Sequence, residues 1–246
     1  MPLSQFQYGK LTSQRHPVKQ LTLDIFLMAL ALFDLDNTLL AGDSDYEWGR
    51  FLIRKGLVNE DYYEAENNRF YDQYKQGTLD IYEFSAFSFQ PLAERSMEEL
   101  HVLHGEFMQE VIEPMIGKPA QALVDKHKEQ GDTAMVITAT NSFITSPIAR
   151  AFGIEHLLAT EPKIVNNRYT REVDGIPCFH EGKVQRLENW LAEKKMSLQG
   201  SCFYSDSIND LPLLEKVDTP VAVDPDEKLA ALARERGWKC ISLRDK

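Results

Sequence analysis

Short apolar segments alternate with amphipathic ones through the second half of the chain, and this alternation constrains the fold more than any other feature. The apolar runs lie at 134–138, 157–159, 202–204 and 221–223, and the segments of helical period at 118–130, 142–152, 181–195 and 226–236. Strands that alternate with helices are typical of a parallel sheet covered on both faces. Asn166 and Asn167 interrupt an alternating stretch at 162–176, which predicts a β-hairpin there.

The first strand of this sheet is predicted far upstream, in the apolar run 28–33. The stretch between residues 43 and 113 has helical signals only, among them a capping box at Ser96 and Glu99. We therefore predict an α/β fold with a Rossmann-like parallel sheet core, formed by residues 28–42 and 114–246. Helices cover both faces of the sheet, and residues 43–113 form an inserted α-helical cap.

Residues 1–27 have neither helical nor alternating periodicity, and four glutamines lie among basic and small residues. We interpret this segment as an N-terminal extension that is disordered or not native. An extra helix or strand that packs on the core is the alternative.

Composition excludes several classes of function. The net charge of -11 disfavours nucleic acid as a partner, because an acidic protein releases no counterions from a phosphate backbone. The three cysteines are widely spaced, which argues against disulfides and structural zinc and favours a cytoplasmic location. No apolar run reaches the ~20 residues of a membrane span. The oligomeric state stays open.

Polar residues stand where three predicted strands end. Asp34 and Asp36 follow the first strand, Thr138 ends the second, and Asp206 follows 202–204. The carboxyl ends of parallel strands meet at one edge of a sheet, where ligands bind in such folds.

Gathered carboxylates repel one another unless a cation neutralises them, and hard oxygen ligands select Mg²⁺. The group therefore predicts a magnesium site. Asp210 extends it, although an aspartate there could instead cap a helix.

Four motifs resemble those of the haloacid dehalogenase superfamily, in the same order and spacing across about 200 residues. They are Phe-Asp-Leu-Asp-Asn-Thr at 33–38, Val-Ile-Thr at 136–138, Lys183, and Ser-Asp-Ser-Ile-Asn-Asp at 205–210. The helical insert resembles the cap of the phosphoserine-phosphatase-like branch. The resemblance implies a phosphatase that forms an aspartyl-phosphate.

The resemblance also implies a role for each motif residue. Asp34 would be the nucleophile, and Asp36 the general acid and base. The carboxylates of Asp34 and Asp206 and the backbone carbonyl of Asp36 would bind Mg²⁺. Phosphate contacts would come from Thr138 and Lys183, with Asp210 and Asn209 close to the metal and the phosphate.

Lys163 competes with Lys183 for the lysine role, but its place in the family, ahead of a helix that precedes the last acidic motif, favours Lys183. The family usually has glycine where this chain has Ser205 and often has glycine at Ser207. It has a glycine pair where this chain has Ala139 and Thr140, and Thr140 is expected to narrow that wall of the site.

The cap suggests a substrate class. In phosphoserine phosphatases an acidic residue at the position of Asp43 holds the substrate's ammonium, so an amine-bearing phosphate ester of amino-acid biosynthesis is predicted. Histidinol phosphate and phosphoserine both fit, and Arg50 on the first cap helix is a candidate partner for a substrate carboxylate. Asp43 could equally be a helix N-cap.

Two other functions fit part of the pattern. A phosphotransferase on the same scaffold would need only a different acceptor in place of water. A receiver-type signalling domain also uses an acidic cluster, Mg²⁺ and an aspartyl-phosphate, but such modules are about half this length and have no helical insert.

Overall fold

Eight β-strands lie in residues 29–244, the part of the chain that the computed structural model describes. They are β1 (Leu30–Phe33), β2 (Thr133–Asn141), β3 (His156–Thr160), β4 (Pro162–Val165), β5 (Arg168–Val173), β6 (Cys202–Ser205), β7 (Thr219–Val223) and β8 (Lys239–Ile241). Six form one parallel sheet in the order β3-β2-β1-β6-β7-β8. The predicted α/β fold is confirmed, with β1 at the centre of the sheet.

Helices form most of the remaining described chain. They are α1 (Ser44–Arg54), α2 (Glu60–Gln76), α3 (Ile81–Ser88), α4 (Gln90–Ala93), α5 (Met97–Phe107), α6 (Glu113–Met115), α7 (Lys118–Glu129), α8 (Ser142–Ala151), α9 (Glu181–Lys194), α10 (Leu211–Leu214) and α11 (Glu227–Arg236). Wide π-type turns occupy Leu35–Leu39 and Met108–Ile112, and a 3₁₀ turn occupies Ile208–Asp210.

Strand β1 is buried on both faces, which explains its continuous apolar sequence. Ala31 and Phe33 point to one face and pack with α7 and α8. Leu30 and Leu32 point to the other face and pack with α9, α10 and α11. Full burial of a large apolar side chain such as Phe33 stabilises the folded state by ~1.5–3 kcal/mol relative to leaving it exposed. The sheet therefore lies between two layers of helices.

The helices α1 to α6 form an insert between β1 and α7. The chain enters and leaves it side by side, where Leu40 and Ile116 form an antiparallel bridge. The capping box predicted at Ser96 and Glu99 is present at the start of α5. The sequence predicts a cap at 43–113 and a core at 28–42 and 114–246. Both predicted boundaries of the cap lie within a few residues of this bridge, and the division into these two domains stays a prediction.

The predicted hairpin at Asn166–Asn167 is formed by β4 and β5, and it lies against the insert. Arg171 Nε donates to the carbonyl of Ala86, 2.9 Å away at the end of α3. The prediction of an N-terminal extension at 1–27 falls outside the described residues. Within 29–244, no helix has the length and apolarity to cross a membrane.

Candidate active site

The loop that follows β1 brings two aspartates to the edge of the sheet. The backbone N–H of Asp34 donates to the carbonyl of Tyr204 at 2.9 Å, so this residue still pairs with β6. The chain then turns through Leu35–Leu39, where Asn37 adopts a left-handed φ of 57°. Asn tolerates this conformation better than most residues. The turn lets Asp36 line the same cavity as Asp34.

Lys183, at the start of α9, lies between two carboxylates. Its Nζ is 2.8 Å from Asp34 Oδ1 and 2.7 Å from Asp210 Oδ1, and its side chain is only 3% exposed. Lys163, the competing candidate, forms an exposed pair with Glu172 on the hairpin. The structure thus places Lys183, and not Lys163, beside the predicted nucleophile.

Burial and charge oppose each other in this cluster. Burial raises the pKa of Asp34 to about 7, although Lys183 works against the rise. Burial alone would lower the pKa of the Lys183 ammonium, but Asp210 and Asp34 outweigh it and the pKa rises. Lys183 therefore stays charged at neutral pH, and Asp34 needs further positive charge to be fully ionised.

Asp36 is held by two hydrogen bonds. Its Oδ1 accepts from the Ser44 N–H at 2.6 Å, and its Oδ2 accepts from the Thr140 hydroxyl at 2.8 Å. Burial, with the charge of Asp43, raises the pKa of Asp36 to about 6. A carboxyl group with such a pKa can give and take a proton near neutral pH.

Thr140 was expected only to narrow the wall, and its bond to Asp36 was not predicted. One signal for a role of Thr140 in the site was available in the sequence. Thr138 and Thr140 are two residues apart on β2, so their side chains point to the same face of the strand. Thr138 is buried and accepts from the Thr140 N–H at 3.2 Å. Its own hydroxyl hydrogen remains able to donate to a phosphoryl oxygen.

The buried hydroxyls of Thr38 and Ser205 form hydrogen bonds with Asp206 and Asp210, the acidic residues that follow β6. Thr38 Oγ1 donates to Asp206 Oδ1 at 3.1 Å and accepts from the Asp206 N–H at 3.0 Å. Ser205 Oγ donates to Asp210 Oδ2 at 2.7 Å. Sequence reasoning missed both roles. Ser205, which stands in place of the family's glycine, thus has a side-chain function here.

The remaining predicted residues are divided between cavity and surface. Asp43 and Asn209 line the cavity. Asp43 also caps α1, because its Oδ1 accepts from the Tyr46 N–H at 2.9 Å. Arg50 does not line the cavity, and it forms a partly exposed pair with Glu64 on α2.

The donor groups suit magnesium. Within 29–244, no three His, Cys, Asp or Glu side chains are arranged to hold a metal by themselves. Mg²⁺ does not require this, since one or two carboxylates bind it together with waters and substrate phosphate. Burial and the repulsion of Asp34 and Asp210 raise the pKa of Asp206. That excess negative charge is what a divalent cation would relieve, so the carboxylates of Asp34 and Asp206 suit the ion, and the carbonyl of Asp36 stays a predicted ligand.

A cavity of about 550 Å³ between the insert and the sheet encloses these groups. Its described lining is strongly acidic, with seven carboxylates and Lys183 as the single cation. The carboxylates are Asp34, Asp36, Asp43, Asp45, Glu47, Asp206 and Asp210. Aromatic side chains from α2, Phe70, Tyr71 and Tyr74, form part of the wall.

Comparison with known proteins identifies the family. A family model described as haloacid dehalogenase-like hydrolase matches residues 31–215. The chain belongs to the haloacid dehalogenase-like hydrolases. The family predicted from the four motifs is therefore confirmed.

Three individual proteins resemble this hydrolase over most of its length. A histidinol-phosphatase of Neisseria meningitidis serogroup C (strain 8013) is 46% identical, over 87% of this chain and 99% of that protein. A Bordetella pertussis Tohama I structure of unknown function is 44% identical with a TM-score of 0.83, covering 88% of this chain and 99% of the other. A substrate-bound phosphoserine phosphatase structure has a TM-score of 0.64 at 18% identity, covering 87% of this chain and 92% of the other, and supports the fold alone.

Proposed function

We propose that this hydrolase is a magnesium-dependent phosphomonoester hydrolase in which Asp34 carries the phosphoryl group. That the chain is a phosphatase is confirmed by its family and by the 46% identical histidinol-phosphatase. The metal and the aspartyl-phosphate are proposals. They are supported above all by the 2.8 Å contact between Lys183 Nζ and Asp34 Oδ1 inside the acidic cavity.

In the first step, an oxygen of Asp34 attacks phosphorus and the bond from phosphorus to the ester oxygen breaks. Lys183 already donates a hydrogen bond to Asp34, and its positive charge offsets the negative charge of the incoming phosphoryl group. Thr138 donates its hydroxyl to a phosphoryl oxygen. Asp36, with its raised pKa, gives its proton to the departing alkoxide, which leaves as an alcohol.

In the second step, Asp36 is a carboxylate and takes a proton from water as the water oxygen attacks phosphorus. The bond between phosphorus and Asp34 breaks, so phosphate leaves and both aspartates return to their starting forms. The hydrogen bonds from Ser44 and Thr140 keep Asp36 in place for both transfers. Bound Mg²⁺ would supply charge neutralisation for Asp34, Asp206 and the phosphate.

The charge of the cavity suggests the class of leaving group. Seven carboxylates favour a cationic group, and Asp43 stands near the entrance to the insert. A substrate carboxylate would need a cation of its own. Lys183 is already bonded to two aspartates, and Arg50 is paired with Glu64 away from the cavity.

The preferred substrate is therefore an amino-alcohol phosphate without a carboxylate. Histidinol phosphate meets this description, since it has an amine and an imidazole beside its phosphate ester. Phosphoserine does not, because its carboxylate would face other carboxylates. The 46% identity to a histidinol-phosphatase supports the same choice.

The test is release of inorganic phosphate from histidinol phosphate, phosphoserine and glucose 6-phosphate in the presence of Mg²⁺. Wild type is compared with Asp34→Asn and with Asp125→Asn, a matched change at an exposed residue of α7. We expect kcat/KM to favour histidinol phosphate over phosphoserine by about tenfold or more, as for a charged group left without a partner. Asp34→Asn is expected to lower kcat by about four orders of magnitude or more.

Full activity in Asp34→Asn would contradict the nucleophile, and a preference for phosphoserine would contradict the substrate class. Absence of release from every ester, with folded protein and Mg²⁺, would favour the phosphotransferase alternative, for which labelled phosphate on Asp34 and an acceptor screen are the next measurements. The receiver-domain alternative is set aside, because the chain belongs to a hydrolase family and has a helical insert.

A further inference from the structure

Arg244, at the C-terminal end of the described chain, contacts the loop that carries the predicted nucleophile. Its Nη1 donates to the carbonyl of Thr38 at 3.2 Å, and its Nη2 donates to the carbonyl of Asn37. The planar guanidinium offers several donors in a rigid fork. It therefore holds two successive carbonyls of this loop in a fixed relation to each other.

Backbone hydrogen bonds close the loop near this point, among them one from the Leu40 N–H to the carbonyl of Leu35 at 2.9 Å. Asn37 has a left-handed φ of 57°, and its N–H donates to the carbonyl of Gly42 at 2.9 Å. Its carbonyl and that of Thr38 both accept from Arg244. A side chain more than 200 positions away therefore adds a constraint on residues 37 and 38 to these backbone bonds.

Thr38 transmits this contact to the acidic cluster. The residue is fully buried, its carbonyl accepts from Arg244, and its hydroxyl is bonded twice to Asp206. A displacement of Thr38 would move both the Asp206 carboxylate and its backbone. Asp206 is one of the proposed metal ligands, so Arg244 lies two contacts from a residue that would hold the metal.

The C-terminal segment is itself anchored. Leu243 is buried in the core, and its N–H donates to Asp224 Oδ2 at 3.0 Å. Arg244 Nε lies 3.7 Å from the same oxygen of Asp224. The anchored chain end therefore presents the guanidinium to the loop in one orientation.

We infer that Arg244 is a positioning residue for the metal site, acting through Thr38 on Asp206. The inference rests on the magnesium site of the proposed function. Without the guanidinium, the carbonyl of Thr38 loses its hydrogen bond, and Thr38 and Asp206 become less well ordered. Binding of Mg²⁺ must then order them, which lowers the affinity for the ion.

The test measures Mg²⁺ binding by titration calorimetry, and separately the Mg²⁺-induced rise in Tm, for wild type and Arg244→Gln. We expect the Mg²⁺ dissociation constant to rise by about tenfold, the lower end of the effect of residues that orient metal ligands. Arg244→Lys keeps the positive charge but cannot donate to both carbonyls in one plane, so it is expected to retain only part of the wild-type affinity for Mg²⁺. Arg236→Gln, which removes an exposed arginine of α11 paired with Glu215 directly after α10, is the control and is expected to bind Mg²⁺ like wild type.

An unchanged dissociation constant in folded Arg244→Gln would overturn the inference, and a lower Tm with unchanged binding would assign Arg244 to stability alone. Failure of the wild type to bind Mg²⁺ would instead overturn the proposed function. If Arg244→Gln does not fold, the comparison of Arg244→Lys with wild type decides by the same criterion.

Discussion

Tyr74, on helix α2 of the insert, donates its phenolic hydrogen to the hydroxyl of Ser207 in the core, 2.7 Å away. Lys228 Nζ donates nearby to the carbonyl of Lys75 at 2.9 Å. The last carbonyls of a helix have no partners within the helix, and here the core supplies one. The end of α2 is therefore docked beside Asp206, and any movement of α2 away from the core must break these contacts.

Tyr74→Phe and Ser207→Ala are each expected to raise KM by about two- to tenfold, the equivalent of one ordinary hydrogen bond between the insert and the core beside the cavity. Ser207→Ala also removes the bond that Ser207 Oγ accepts from the Asn209 N–H at 3.2 Å, so the double variant is expected to resemble Ser207→Ala, with effects that are less than additive. Steady-state kinetics on all four proteins measure this coupling. Tyr62→Phe, at an exposed tyrosine of the same helix that does not line the cavity, is the control, and additive effects of Tyr74→Phe and Ser207→Ala would contradict a shared contact.

Magnesium is expected to stabilise the protein more at pH 8 than at pH 5.5. The pKa of Asp34 is raised from 3.8 to about 7, so without metal this group loses stabilising free energy as the pH rises between these values. Mg²⁺ binds the ionised carboxylates and offsets that loss. Thermal unfolding with and without Mg²⁺ at both pH values tests this. Asp206→Asn should remove most of the Mg²⁺ effect, and an equal rise in Tm at both pH values in wild type would refute the idea.

His104 is expected to make the protein less stable below about pH 6.5. It is buried, its Nε2 donates to the carbonyl of Ile144 at 3.1 Å, and burial lowers its pKa from 6.5. His104 therefore binds a proton more readily in the unfolded chain than in the folded protein. As a result, the free energy of unfolding falls as the pH drops below 6.5. One such group contributes at most ~1.4 kcal/mol per pH unit.

Urea unfolding at pH 7.5 and 5.5 measures this contribution. His104→Gln keeps a donor for Ile144 and is expected to reduce the pH dependence, whereas His101→Gln, at an exposed position on the same helix, should leave it unchanged. The same slope in wild type and His104→Gln would show that other groups control acid stability.

Gly182→Ala is expected to lower both activity and stability. A Cβ at Gly182 would lie 2.0 Å from the carbonyl oxygen of Pro177, so the start of α9 must shift and carry Lys183 with it. Such overpacking costs ~1–3 kcal/mol. Gly105→Ala is the matched control, because its Cβ would have no neighbour within 4 Å and is expected to stabilise α5 by ~0.5–1 kcal/mol. Wild-type kcat and Tm in Gly182→Ala would contradict the close contact.

Much of the candidate site could be predicted from the sequence because backbone topology brings it together. Asp34 and Asp206 each follow an apolar strand, and Thr138 ends the apolar part of β2, which continues to Asn141; parallel strands end at one edge of a sheet. Apolar periodicity identifies such strands without knowledge of their neighbours. Lys183 was found differently, from its place relative to the motifs, and it lies beside Asp34.

Tertiary structure alone decided which side chains hold these groups. The bonds from Thr140 to Asp36, from Thr38 to Asp206 and from Arg244 to the carbonyl of Thr38 join residues 104, 168 and 206 positions apart. Local pattern contains no information on such pairs, because they depend on the directions of side chains from separate loops. The same holds for Arg50, whose pairing with Glu64 depends on how α1 packs against α2. The sequence by itself determined the fold and the candidate reacting groups, through periodicity and strand ends, whereas the orientation of these groups and the charge of the cavity depended on packing between distant segments.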